Sequence, residues 1–165
     1  MSNDYVINPK RIPVESPESL VENGKALFGT FASEIVNINL LDCIDPCGSL
    51  MPEMLKSKRL TVWEAFELST EKGLLVCCVY NAAVAGFTIF VYFDKETQKC
   101  LKWFELGTGK DAVVAPSLCD TVTEMHTKTL NLTFENNMQN GRCHISGDAA
   151  NKVFGSIELD VNVRR

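Results

Sequence analysis

Glu64 is the side chain in this sequence with the clearest capacity for chemistry. It lies in the run Leu60-Thr61-Val62-Trp63-Glu64-Ala65-Phe66-Glu67-Leu68. Strict alternation puts it on one strand face with Leu60, Val62, Phe66 and Leu68. A carboxyl surrounded by apolar groups loses hydration, so its neutral form is favoured and it can donate a proton. The competing reading pairs Glu64 with Arg59 or Lys102, or turns it outward at a bulge, and leaves it a structural role. Tyr80 and Asn81 end a neighbouring strand, where they would orient the polar head of a bound molecule. The plainer alternative is a rim tyrosine and a turn amide. With Phe66 and Phe87 they form the expected ligand-binding set.

Other reactive residue types lack the spacing that chemistry needs. Cys43 and Cys47 stand three residues apart with no second pair and no nearby histidine, so no metal site is expected. Cys77 and Cys78 are adjacent in a strand-like run and point to opposite faces. Most of the seven cysteines read as small buried hydrophobes. His126 and His144 sit in no recognisable nucleophile or triad signature, and His144 reads as a surface residue beside Arg142 and Ser146. Gly107-Thr108-Gly109-Lys110 departs from the spacing of a phosphate loop. No cofactor is expected.

The elements that would carry these residues have a period of two. Candidate strands run over Ala26–Phe31, Ile35–Leu40, Thr61–Leu68, Leu74–Asn81, Thr88–Asp94, Cys100–Leu106, Lys128–Glu135, Arg142–Gly147 and Lys152–Val163. Short polar turns separate most of them, and Asn140-Gly141 is a strong turn signal. Residues 107–128 read as a long loop with, at most, a short helical turn. Pro9, Pro13 and Pro17 mark residues 1–19 as an extended or disordered leader, with one β-domain over 20–165. About eight antiparallel strands without a helical layer predict an all-β barrel, closed so that no edge is left bare.

Composition excludes several partners. The chain has 16 basic against 21 acidic residues, so it lacks the basic footprint of a nucleic-acid binder. No apolar run reaches the length of a membrane helix. The first residues carry no signal-peptide pattern, which sets the expectation of a cytoplasmic protein.

The strands differ in kind. Lys128–Glu135 and Lys152–Val163 have one apolar and one polar face, as befits a wall between core and water. The segments 74–81 and 87–93 are apolar on both faces. A wall of that kind needs a cover beyond the core. Trp63, Leu75, Val79, Phe90 and Tyr92 are the expected interface residues, with Trp103 extending their surface. The expected cover is a second copy of the chain or a second barrel domain, and the alternative is the leader or the 107–128 segment.

Arg59-Leu60-Thr61-Val62-Trp63-Glu64-Ala65-Phe66, Tyr80-Asn81-Ala82 and Tyr92-Phe93-Asp94-Lys95-Glu96-Thr97 together resemble a large family of domains of unknown function. Leu27-Phe28-Gly29-Thr30-Phe31 and Val36-Asn37-Ile38-Asn39-Leu40-Leu41-Asp42 fit the same pattern. The resemblance covers residues 20–105 most closely. It implies lipocalin-like (calycin-type) barrels, usually two per chain, distantly similar to hydroxyneurosporene hydratases and tocopherol cyclases. A single-barrel version would lack its packing partner. The leading expectation is non-covalent binding of a small apolar molecule, a lipid or isoprenoid, inside the barrel. The second is a protein–protein interaction module, or dimeric structural barrel, without ligand. The third is a hydratase- or cyclase-like enzyme using Glu64.

Overall fold

The structure, a computed structural model, describes residues 12–46 and 50–164. Two short strands, β1 (Val21–Glu22) and β2 (Lys25–Ala26), form a small hairpin near the start. One helix follows, α1 (Glu53–Arg59). Eight long strands then run in chain order: β3 (Val62–Ser69), β4 (Gly73–Asn81), β5 (Ala85–Asp94), β6 (Lys99–Thr108), β7 (Cys119–His126), β8 (Leu130–Asn137), β9 (Arg142–Asn151) and β10 (Gly155–Arg164). They build two antiparallel four-stranded meanders, β3-β4-β5-β6 and β7-β8-β9-β10.

The fold is therefore all-β and antiparallel, but neither sheet closes on itself or on the other. A closed barrel would need β6 to pair with β7. That edge of β7 is already taken by the crossover segment: Val113 and Glu124 exchange backbone hydrogen bonds of 2.9 and 2.8 Å. The β9–β10 turn occupies β6 instead. Asn151 Nδ2 donates to the Lys102 carbonyl at 3.1 Å, and Trp103 Nε1 donates to the Gly155 carbonyl at 3.0 Å. The facing edges of β6 and β7 are thus protected by local cover rather than by closure.

The core lies between the two sheets. Phe90, Phe134, Met125, Leu130, Leu132, Ile145 and Val79 are fully buried in it. Each such side chain contributes about 1.5–3 kcal/mol relative to exposure. Gly147 makes room for Phe90: a Cβ there would stand 3.0 Å from the ring and 2.4 Å from the Asn131 carbonyl. The Thr88 hydroxyl is buried in the same layer and finds no hydrogen-bond partner among the described residues.

Local chemistry sets the turns. Thr70 Oγ1 accepts from the Gly73 amide at 3.1 Å and closes β3 onto β4. Asp94 Oδ1 accepts from the Glu96 and Thr97 amides at 2.9 and 2.8 Å at the next turn. Gly141 has φ +64°, a left-handed conformation that glycine adopts without strain. It ends the 3-10 turn Met138–Asn140 at the position where Asn140-Gly141 predicts a reversal.

Three expectations about elements need correction. Residues 26–31 and 35–40 are not paired strands; apart from the β1–β2 hairpin they make only isolated bridges, Val14 with Phe31 and Ser19 with Asn37. Those bridges tie down the extended leader from residue 12, and the leader's first eleven residues lie outside the described ones. Residues 107–128 are not all loop, because β7 lies inside them. Its inward positions include Thr121 and Thr123, whose polarity hides the alternation although threonine is a good strand former. Helix α1 is seven residues long with no buried residue, too short to show a helical period.

Candidate functional site

The first sheet presents an apolar wall on its outside. Consecutive apolar residues in β4 and β5 make this unavoidable, since alternate side chains must leave the core. Pairing registers align the outward side chains in four rows across the strands. Trp63, Tyr80, Phe87 and Leu106 form the first. Ala65, Cys78, Ile89 and Phe104 form the second. Glu67, Val76, Val91 and Lys102 form the third, and Ser69, Leu74, Phe93 and Cys100 the fourth. Trp63 is 63% exposed, Leu106 67% and Phe104 45%. The Tyr80 and Phe87 rings stack at 4.5 Å and 16°, and Phe87 meets Phe104 at 5.5 Å. Lys102 Nζ lies 5.3 Å from the centre of the Phe104 ring.

The second sheet is the contrast. Its outward positions include Asn131, Thr133, Glu135, His144, Ser146, Asp148, Glu158 and Asp160, which are ordinary for a wetted face. His144 bridges three strands there, with Nδ1 against Glu135 and Nε2 3.0 Å from Asp160. These two carboxylates raise its pKa, Glu135 foremost.

Turn parity decides which residues stand together. Ser69 pairs with Leu74, so even-numbered positions of β3 share a face with odd-numbered positions of β4. Leu75 pairs with Tyr92, which makes the matching switch into β5. Leu75, Val79, Phe90 and Tyr92 therefore turn inward, and the expectation that they form an exposed interface is corrected. Leu75 is 7% exposed, and Val79 and Phe90 are at 0%. Trp103 joins them at 3%. Of the expected interface set, Trp63 alone faces out. A shift of one residue moves an entire side-chain set to the opposite face.

The expected ligand set is divided in the same way. Phe66 points inward and packs against the core. Tyr80 and Phe87 face outward, where they stack. The Asn81 side chain is fully engaged: its Nδ2 donates to the carbonyls of Gly109 and Ala112, both at 2.6 Å, and its Oδ1 accepts from the Ala83 amide at 2.7 Å. Asn81 thus ties the β4–β5 turn to the crossover.

Glu64 faces inward with Val62, Phe66 and Leu68, as alternation predicts. Asn136 Nδ2 donates to its Oε2 at 3.1 Å, and Asn136 is only 3% exposed. Cys143 Sγ lies 3.5 Å from Asn136 Oδ1. Burial raises the Glu64 pKa, partly opposed by hydrogen bonds from Thr123 and Asn136. The thiols around it are held protonated. Cys77 is pushed up to about 12, chiefly by burial, and Cys78 to about 11 by burial and then by the Glu64 charge. Cys143 is raised by the same two causes, with Glu135 adding to them. A thiol that keeps its proton is a poor nucleophile.

Two clefts flank the start of β3. One of about 620 Å3 lies between residues 37–42, 60–63 and 114–116. The other, about 440 Å3, is lined by Leu40, Leu41, Met51 and Leu60, with Lys56 and Arg59 among its walls. The first reaches Val62, the inward neighbour of Glu64. The Lys56 ammonium pairs with Glu53 at 3.0 Å and donates to the Leu41 carbonyl at 3.2 Å.

Glu67, Phe104 and Leu106 on the outer wall, and Thr123 and Asn136 at Glu64, were not singled out by sequence reasoning, and Lys102, expected as a partner of Glu64, stands on the outer wall instead. The first group depends on the phase between strands, which the pattern of each strand alone leaves open. The second depends on contacts between sheets, for which the sequence offers no local signal. Among the described residues no helix is long and apolar enough to cross a membrane. No protein family, curated protein or solved structure matches this chain.

Proposed function

We propose that this protein is an interaction module that associates with a second copy of itself through the outer wall of the β3–β6 sheet. The observation that carries the reading is that wall: four rows of outward side chains, almost all apolar, with Trp63, Phe104 and Leu106 exposed. Monomers rarely leave a contiguous apolar patch of this kind open to water. Strand spacing and rise give the face roughly 500 Å2, so a self-pair buries about 1,000 Å2, the level a specific interface must clear. Tryptophan and tyrosine are the side chains that most often dominate such contacts, and Trp63 and Tyr80 share a row. The resemblance to tandem lipocalin-like barrels agrees with this reading, because there two barrels pack together. The meander order of the eight strands also supports kinship with an up-and-down barrel opened into two sheets.

Size-exclusion chromatography with light scattering tests the proposal. The native protein is expected at twice the chain mass at micromolar concentration. A Trp63→Asp, Phe104→Asp variant is expected to stay folded and run as a single chain. A native protein that keeps the single-chain mass throughout the micromolar range overturns the proposal.

A second reading, binding of a small apolar molecule such as a lipid or isoprenoid, draws on the clefts beside β3, whose volumes fall in the usual range for ligand sites. Phe90, Phe134 and Met125 fill the space between the sheets, which favours a ligand at these clefts over one in an interior lumen. Retention of a small molecule in native mass spectrometry, lost on Leu60→Asp, is the expected result under this reading. A hydratase- or cyclase-like activity would rest on Glu64 alone.

A further inference from the structure

The third row of the outer wall carries a charge at each end. Glu67 stands on β3, at one edge of the sheet, and Lys102 on β6, at the other. They are the charged residues of the four rows, and among the described residues neither makes an ion pair. Lys102 lies across the Phe104 ring, which keeps its ammonium on the outer side. Opposite charges at matching heights on opposite edges make this face complementary to itself under one symmetry operation.

We infer that two copies pack face to face about a two-fold axis running along the strands, with Glu67 of each copy paired to Lys102 of the other. The inference rests on the self-association proposed above and adds its geometry. Rotation about the strand direction reverses the strand order and preserves the rows. Then β3 lies over β6 of the second copy, and the third row meets the third row. Trp63 lies over Leu106, and small Ala65 over large Phe104. Packed sheets stand about 10 Å apart, a gap that glutamate and lysine side chains span together. The usual crossing of about −30° displaces opposed rows at the edges by only about 4 Å, which long side chains absorb.

The other simple choice is an axis perpendicular to the strands. It exchanges the second and third rows, setting Glu67 over Ala65 and Lys102 over the partner's Phe104. Both charges would then be buried without counter-charges, which is strongly unfavourable. Charge therefore selects the axis, while the apolar rows supply the attraction. The two-fold contact is also closed, so it yields a dimer and not a fibre.

Charge reversal tests the inference. Glu67 and Lys102 are exposed, so their exchange leaves the core intact. Glu67→Lys and Lys102→Glu are each expected to weaken the dimer at least ~10-fold in analytical ultracentrifugation, since each sets like charges against each other twice. The Glu67→Lys, Lys102→Glu double variant is expected to recover to within about threefold of the native constant. Mixing the two single variants is the sharper measurement. One copy then carries lysine at both positions and the other glutamate at both, so native mass spectrometry should find the heterodimer in large excess over either homodimer.

A statistical mixture, with single variants that dimerise like the native protein, overturns the axis. If Trp63→Asp still abolishes that dimer, the self-association stands without this geometry. A native protein that remains a single chain overturns both.

Discussion

Phe87 and Phe90 lie three residues apart on β5 and point to opposite sides of one sheet. Truncating each to alanine should therefore do different things. Phe90 is fully buried beside Gly147, between the sheets. Its loss removes a large apolar surface and leaves a cavity, at a cost of about 3–5 kcal/mol. For a chain of this size each kcal/mol lowers the melting temperature by about 2–4 °C, so a fall of roughly 10–15 °C is expected. Phe87 stacks on Tyr80 at 4.5 Å on the outer wall. Its loss removes that stack, about 0.5–1.5 kcal/mol within one chain. The remainder of its effect should come through association, and apparent stability gained from association depends on protein concentration. Urea unfolding followed by circular dichroism, at two concentrations a hundredfold apart, separates these contributions. The Phe90→Ala deficit should be the same at both. The Phe87→Ala deficit should shrink on dilution, as the native protein dissociates too. A Phe87→Ala variant that at high dilution loses as much as Phe90→Ala would refute the assignment of the two faces.

Three further outcomes are expected. The raised pKa of Glu64 means that the stability linked to this group is fully present below its ordinary value of 4.5 and is lost as pH rises through the folded-state value; Glu64→Gln should flatten that limb of the pH–stability curve and be the more stable form at pH 8, read by thermal melts across pH. Asn81→Ala should cost about 2–4 kcal/mol, because three hydrogen bonds go at once, and should speed amide exchange around residues 109–113; Asn81→Asp should not rescue it, since an aspartate cannot donate to the two carbonyls. Thr88→Val should raise the unfolding free energy by about 1 kcal/mol, read as a higher urea midpoint at unchanged slope, since it removes a buried hydroxyl that has no partner among the described residues.

Alternation within each strand was legible, and so were most of the turns. Glu64 falls where its neighbours predict, and the middle strands are apolar on both sides as their composition demands. What could not be read was the phase between strands. Whether Trp63 stands beside Tyr80 or beside Val79 depends on a single residue in the turn at Thr70–Lys72, and both placements satisfy the pattern of each strand taken alone. Strand β7 was hidden because threonines occupy core positions where hydrophobic residues are sought. Closure was overestimated for a different reason. Strand count favours a barrel, but the outcome depends on Val113 occupying the edge of β7 and on Asn151 reaching β6 from far along the chain, and alternation within strands shows neither contact. The Glu64 surroundings share that origin, since Asn136 lies on the other sheet.

The two tryptophans stand on opposite sides of the same sheet, Trp103 at 3% exposure and Trp63 at 63%. Their fluorescence should divide accordingly. Trp103, enclosed and hydrogen-bonded to the Gly155 carbonyl, emits toward the blue and is shielded from iodide until the sandwich opens. Trp63 emits toward the red and is quenched at once unless its face is occupied. One untagged sample therefore carries separate optical reporters of folding and of docking, and a quencher titration reads the second without disturbing the first.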